Sequence, residues 1–387
     1  MKVRLGFWRV VFAVILGLGL YSTVLRFTQG LGSATHLSDR FPWGLWIGFD
    51  LLCGVGLAAG GFAMAATVHI FNVKRFEPVI RPAILTAFLG YLLVIFALLI
   101  DLGRPWMIWH PIVMWNPRSV MFEVAWCVML YTTVLAVEFS PAVLERLRWK
   151  RALSLVRSAL PFFIIAGVLL STLHQSSLGS LYLIVPNKLH PLWYSSWLPV
   201  LFFLSALAVG CCMVLMESFL SQRAFGHALA PDVRHDLCRM ALVLLVPYAL
   251  LRILDVVQRG AIRYAVQATP EAGLFWIEVF LGLLAPIALL LVGKVRQHPR
   301  GQFAISLLAI LGFVMHRLNV SITGMEASIR ADYFPAWTEV SITVMIVAIG
   351  FAVFGLAARH LPLFGHGTHA QPAYVGAAGR EDRAGNR

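Results

Sequence analysis

Charge is what this sequence has least of. Only 13% of its 387 residues are Asp, Glu, Lys or Arg, against roughly a quarter in an ordinary soluble protein. Acid is scarcer than base, 18 residues against 31. With 59% of the chain hydrophobic, a soluble globular enzyme and a disordered chain are both excluded. Cysteine is sparse as well: Cys53, Cys127, Cys211, Cys212 and Cys238. No Cys-x-x-Cys pair occurs among them. The chain therefore offers no frame for an iron–sulfur cluster, a zinc site or a secreted disulfide scaffold. Most of these thiols fall in apolar segments and read as small buried hydrophobes. Sustained period-two alternation is missing too, which argues against membrane-spanning strands.

Long apolar runs are what the sequence does have. Ten recur, at about Trp8–Leu25, Trp43–Ile70, Ala83–Ile100, Ser119–Val137, Ala159–Leu173, Trp197–Phe219, Met240–Leu254, Leu274–Val292, Phe303–Val320 and Trp337–Ala357. Each is long enough, or nearly so, to cross roughly 30 Å of hydrocarbon as a helix. The expectation is an all-α integral membrane protein with about ten transmembrane helices. The fifth and seventh runs are short at this cut and should extend beyond it. Lys2, Arg4 and Arg9 before the first run could open a signal peptide, but no small-x-small cleavage site follows, so it reads as a true span. Residues 360–387, rich in Gly, Ala, His, Pro and Arg, read as a solvated tail.

The net charge of +13 might suggest nucleic acid, but the basic residues lie in short runs between apolar segments. Of the 31 Lys and Arg, 21 fall in the N-terminus, the even-numbered loops and the tail. The richer side should be cytoplasmic, with both termini inside. Tryptophan is just as lopsided. Trp43, Trp46, Trp106, Trp109, Trp115, Trp126, Trp193, Trp197, Trp276 and Trp337 belong to the outer half, and Trp8 and Trp149 to the inner. An aromatic belt normally marks both interfaces. The imbalance points to a docking surface or a ligand pocket outside, with plain interfacial anchoring as the alternative.

Ionisable groups inside spans are costly, so their positions carry most information. Trp43, Trp46 and Asp50 are spaced i, i+3 and i+7 on the second span, one helical face. Asp101 and Arg104 end the third, Glu123 lies one turn inside the fourth, and His174 and Gln175 end the fifth. Adjacent antiparallel spans pack as bundles, so these groups are expected to meet near the outer surface. Indole, carboxylate, His and Gln around a lipid-accessible cleft suit a flat ring with carbonyls at opposite edges, which takes up two protons on two-electron reduction. That describes a quinone. A buried ion-pair cluster that fixes helix packing is the alternative. Candidate quinone-binding residues are Trp43, Trp46, Asp50, Asp101, Arg104, Trp109, Glu123, His174 and Gln175. Deeper groups, Tyr91, Glu123 and Glu217, could form an interrupted proton lane or be separate hydrogen-bonded groups. Gly56 and Gly60, four apart on the second span, would let another helix approach closely.

The second half has its own outer cluster: Arg252, Asp255, Arg259, Glu278, His316, Arg317 and Asn319. The rough parallel of Asp101–Arg104 with Asp255–Arg259 hints at two related bundles. A structural or docking role is favoured here. Haem is not expected, because a b-type haem in such a bundle usually needs two facing His. His69 and His174 fall at opposite faces, and His174 and His316 in different halves.

Several motifs together resemble the NrfD/HybB family of membrane subunits, nearest its hydrogenase-2-type branch. They are Gly30-Leu-Gly-Ser-Ala, Phe41-Pro-Trp-Gly-Leu-Trp-Ile-Gly-Phe-Asp50, Asp101-Leu-Gly-Arg104, His174-Gln-Ser-Ser-Leu-Gly-Ser180, Lys188-Leu-His-Pro-Leu-Trp193, Phe275-Trp-Ile-Glu278 and Tyr333-Phe-Pro-Ala-Trp337. The resemblance implies two four-helix bundles, residues 31–196 and 197–330, flanked by a first helix in 1–30 and a last in 331–359. It implies a subunit of the bacterial cytoplasmic membrane with no haem and no cluster of its own. Menaquinone would bind near the periplasmic face. Electrons would come from a periplasmic, ferredoxin-like iron–sulfur subunit that contacts the large and small subunits of a NiFe hydrogenase. It maps proton movement onto Tyr91, Glu123 and Glu217. Asp255 stands where the family leads one to expect Glu. The same family serves polysulfide, nitrite and alternative quinol oxidoreductases. An anion transporter or a structural anchor are the readings from other classes.

Overall fold

The computed structural model describes residues 6–330 and 332–364. Among these residues the fold is helical throughout, with no strand. Ten helices are long and apolar enough to span a bilayer: α1 (Phe7–Gln29), α2 (Trp46–Ile70), α3 (Lys74–Asp101), α4 (Val120–Leu147), α5 (Lys150–Ser180), α6 (Leu198–Phe225), α7 (Pro231–Gln258), α8 (Pro270–Leu291), α9 (Pro299–Ile329) and α10 (Trp337–His360). The chain is a multi-pass membrane protein. As expected, the fifth and seventh spans are longer than their apolar cores. Their added turns carry polar residues that hydropathy alone leaves out. Of the solvated tail expected from 360 onward, the part beyond Phe364 lies outside the described residues.

Local chemistry sets the helix ends. Proline opens α7, α8 and α9 at the first helical position, where its missing N–H costs nothing. Ser119 and Thr269 cap α4 and α8 by accepting from Phe122 N and Ala272 N. Gly226 closes α6 at φ 77°, a left-handed conformation that glycine enters without a Cβ penalty.

The connections are asymmetric. Those at residues 71–73, 148–149, 226–230 and 292–298 are short, and their end of the molecule is basic. Those at residues 30–45, 102–119, 181–197 and 259–269 are long and belong to the tryptophan-rich end. Short links make sequential helices antiparallel neighbours.

Helices α2–α5 close into one ring of four, with each helix packed on the next and α5 back on α2. Helices α6–α9 close into a second ring in the same order. The rings meet where α2 and α5 pack on α6, with further contact of α2 on α9. Helix α10 lies against α3 and carries α1 on its other side. The α2–α6 seam depends on two glycines. A Cβ on Gly60 would sit 3.0 Å from Gly210 O, and one on Gly210 would sit 2.8 Å from Gly60 N. Gly56 presses on the Phe313 ring of α9. Both glycines of the expected small-residue pair thus face a neighbouring helix, Gly60 toward α6 and Gly56 toward α9. In a bilayer such close approach replaces the hydrophobic drive that lipid cannot supply.

Candidate functional site

The first ring holds a buried polar core contributed by α3, α4 and α5. Tyr91 Oη lies 2.8 Å from His174 Nδ1. The Tyr91 ring meets Tyr131 edge-on at 4.7 Å between centroids. Ser171 lies beside both phenols. Gln175 Nε2 donates to Val55 O at 3.0 Å, tying α5 to α2. All five residues are buried. Yet His174 Nε2, Gln175 Oε1, Tyr131 Oη and Ser171 Oγ make no hydrogen bond of standard geometry. Native interiors leave few such atoms unpaired, and here four share one pocket of side chains. They offer both donors and acceptors.

This core is deeper than the sequence implied. His174 is expected at the outer end of its span, but α5 continues to Ser180. His174 is therefore nearly two turns inside, about 9 Å from that end, level with Tyr91. The rim of the site is nearer the surface. There Ser177 Oγ donates to Glu123 Oε1 across the α4–α5 seam, and Glu123 is otherwise exposed.

The remaining candidates divide. Trp46 and Asp50 face away from this core. Trp46 Nε1 donates to Glu339 O at 3.3 Å, and Asp50 Oδ2 accepts from Thr343 Oγ1 at 2.7 Å. Both partners are on α10. The start of α2 is a π-helical turn, Trp46–Leu51, and Trp43 precedes the helix, so the expected i, i+3, i+7 face does not form. Trp43 instead meets Tyr182 edge-on at 5.8 Å. Asp101 sits with Asp50, Arg26 and Glu339 in a separate cluster between α1, α3 and α10. There Arg26 Nε and Nη2 donate to Ile100 O at 2.8 Å and Leu102 O at 2.7 Å, capping the C-terminus of α3. Arg26 and Glu339 are not among the sequence candidates: each falls just outside a quoted motif, four residues before Gly30 and two after Trp337. Arg104 and Trp109 lie exposed on the 102–119 connection.

Toward the basic end, Glu217 Oε2 of α6 accepts from Thr86 Oγ1 of α3 at 2.7 Å. A second carboxylate, Glu138 of α4, escaped the sequence reading because it borders the basic 146–151 run and looks interfacial. In the fold it is largely buried against Gly167 of α5.

The second ring repeats the pattern with different chemistry. Its second, third and fourth helices contribute Tyr248 with Arg252, Glu278, and His316. The corresponding helices of the first ring contribute Tyr91, Glu123 and His174. Around Glu278 the groups satisfy one another, while Arg317 Nε and Nη1 make no hydrogen bond. Glu278 pairs with Arg252 and with His316 Nδ1 at 3.0 Å, and accepts from Trp193 Nε1 at 3.0 Å and Asn319 Nδ2 at 2.7 Å. Asp255 accepts from Ser195 Oγ and pairs with Arg259, each at 2.7–2.8 Å. Arg317 stacks on Phe202 with its guanidinium carbon 3.5 Å from the ring centre, and reaches Ser205 Oγ at 2.8 Å. A small cavity among Ser205, Tyr248, Arg252, Glu278 and His316 lies at the middle of this ring.

Sequence comparison places this architecture among known proteins. The family described as polysulphide reductase, NrfD matches residues 33–327, which span both rings. The chain belongs to the NrfD family. Relatives in that family cover nearly its full length. The probable Ni/Fe-hydrogenase 2 b-type cytochrome subunit of Escherichia coli is 37% identical, over 92% of this chain and 91% of its own. The integral membrane subunit of menaquinone reductase from Nitratidesulfovibrio vulgaris is 28% identical over the same shares. A further protein of that organism is 42% identical over 92% of this chain and 93% of its own. Two of these relatives are thus named as subunits of oxidoreductases, a hydrogenase and a menaquinone reductase. Among the described residues of the present NrfD chain, no group of three or more His, Cys, Asp and Glu is placed to hold a metal ion.

Proposed function

We propose that the chain is the quinone-reactive membrane subunit of a respiratory complex of the hydrogenase-2 type. In this reading a periplasmic iron–sulfur subunit, docked on the tryptophan-rich end, passes electrons from the large and small subunits of a NiFe hydrogenase to menaquinone. The basic end, with both termini, faces the cytoplasm. The quinone head enters the first ring between α4 and α5, past Glu123 and Ser177, and one carbonyl meets His174. Arg104 and Trp109 stand at the entrance on the 102–119 connection. Asp50, Asp101 and Trp46 brace the ring against α10 and take no direct part. This narrows the set of residues suggested by the motifs.

One observation carries the proposal. The first ring gathers unpaired, buried donors and acceptors at His174, Gln175 and Tyr131 around one imidazole, whereas in the second ring Glu278 and His316 are bonded by their neighbours and unpaired atoms lie on other side chains, Arg317 and Gln302 among them. An unpaired buried polar group costs about 1–3 kcal/mol. A cluster of them is kept where a ligand or a proton path uses it. In the tautomer protonated at Nε2, His174 accepts from Tyr91 at Nδ1 and holds on Nε2 a proton to give to a quinone oxygen. Quinone reduction consumes two protons, and Tyr91 and Tyr131 stand next in line to replace them.

Haem does not fit these residues. The buried histidines among the described residues are His174 and His316, one in each ring and each engaged by neighbours. An axial pair is not available. The name borne by the E. coli relative therefore supplies the test. The purified native complex is expected to show no stoichiometric b-type absorption band and to co-elute with iron–sulfur and hydrogenase subunits. Photolabelling with an azidoquinone should mark α4 or α5 near His174, and His174→Ala should lower saturable labelling at least tenfold. Saturable labelling confined to α7 and α8, or none at all, sinks the assignment. A membrane subunit for another electron donor, such as menaquinone reductase, is the second reading, and the co-eluting subunits separate the two.

A further inference from the structure

Helix α4 carries an ionisable side chain at about every second turn on one face: Glu123, Tyr131, Glu138 and Glu145. Seven residues of helix advance about 10 Å, so these groups run from the tryptophan-rich rim to the basic surface. Glu145 is held at that surface by Arg81 at 2.9 Å and Arg157 at 2.8 Å. Glu138 has no such partner. Among the described residues nothing hydrogen-bonds or ion-pairs with its carboxylate, although it lies in the body of a span. A carboxyl group in that position is expensive and is kept for a reason.

Gly167 of α5 makes the room. A Cβ built there would lie 2.9 Å from Glu138 Oε1 and 3.7 Å from Tyr131 Cε2. The carboxylate thus packs against bare helix backbone, with Val134 Cγ1 3.1 Å from the same point and the Tyr131 ring beside it. On the far side, Tyr131 and Ser171 lead to Tyr91 and His174. Gly167, Ser171 and His174 are spaced by four and three residues on α5, so one stripe of that helix faces the whole sequence of groups. Glu217, bonded to Thr86 on the α3–α6 side, lies off this stripe.

We propose that Glu138 is the proton-relay residue that connects the Tyr131–Tyr91–His174 chain to the basic face, by way of the Glu145 surface cluster. The inference rests on the quinone site described above. Two electrons from the partner subunit and two protons convert quinone to quinol. For each proton, His174 Nε2 releases to a quinone oxygen and Nδ1 accepts from Tyr91. Tyr91 is restored through Ser171 from Tyr131, and Tyr131 in turn from the Glu138 carboxyl. The Glu138 carboxylate left behind takes its proton from the aqueous phase at the Glu145 surface.

The test uses the whole complex in proteoliposomes with a pH-sensitive dye in the compartment facing the basic end. Three quantities are read: saturable binding of a quinone analogue, donor-driven quinone reduction, and proton uptake on the dye side. Glu138→Gln should bind the analogue as the unaltered complex does, and lose at least tenfold in proton uptake and in turnover. Glu138→Asp should keep a third or more of both. If Glu138→Gln does not assemble, Gly167→Ala pushes the carboxylate out of its place while leaving it on the chain, and should slow uptake without weakening binding. Glu138→Gln with unaltered turnover and uptake overturns the proposal, as does loss of uptake in Glu217→Gln alone. Failure of the unaltered complex to bind the analogue refutes the quinone site itself, and the relay with it.

Discussion

Glu278 and His174 show how far two buried groups at matching places in a repeat can diverge. Glu278 accepts from Arg252, His316, Trp193 and Asn319, and its charge is used up in holding α7, α8, α9 and the 181–197 connection together. Breaking one side of such a pair leaves an uncompensated charge, which costs about 3–5 kcal/mol. Arg252→Met should therefore lower the thermal stability of the purified complex sharply. Arg252→Met combined with Glu278→Met should recover most of the loss, as a melting series in detergent would reveal. Tyr91 is the opposite case. Its hydroxyl meets His174 Nδ1 at 2.8 Å and lies beside Ser171, so Tyr91→Phe removes about 1 kcal/mol of stability but interrupts the route to His174 Nδ1. Turnover with quinone should fall by tenfold or more while the melting temperature hardly moves. A stability loss matching the activity loss would mean that Tyr91 is only structural.

Between elements, the closest approach is at Gly60 and Gly210. No side chain fits where a Cβ meets backbone at 3.0 Å or less, and forcing one apart costs about 1–3 kcal/mol or more. Gly60→Leu should separate the two rings at the α2–α6 seam, lowering assembly yield, while Gly17→Leu, in open space on α1, should be silent. Expression and size-exclusion profiles would distinguish them. The π-helical turn Trp46–Leu51 has the complementary role. It turns Trp46 and Asp50 toward α10, so α10 and α1 are fastened to the first ring by polar contacts at Thr343, Glu339 and Arg26. Hydrophobic periodicity on α2 could not report this. A π turn shifts the phase of every later side chain by most of a residue, and the shift is set by the neighbours.

At the scale of the molecule, two closed rings and a terminal helix pair put all the long connections and most tryptophans at one end. An interface built that way suits a partner with a broad, partly apolar surface. Exposed Trp106, Ile112, Val113, Met114 and Trp115 on the 102–119 connection form a contiguous candidate. Cysteine substitutions at Trp106 and at Arg148 should label from opposite sides of intact cells or oriented vesicles. Reagent reaching both from the same side would overturn the topology read from Lys and Arg. In the assembled complex, Trp106 should be protected and become reactive when partner subunits are stripped.

Span number, helical class, family and the sidedness of charge were all legible in the residues, since each depends on composition within a window and bilayer thickness is a constant. His174, Gln175, Tyr91 and Glu123 could be picked out for the same reason: polar groups in apolar runs stand out singly. Which of them face one another could not be read. That depended on how far α5 continues past its apolar core, on the π turn of α2, and on whether a glycine such as Gly167 leaves room for Glu138. Those are properties of packed neighbours, and a linear pattern holds no information about them until the helices are brought together.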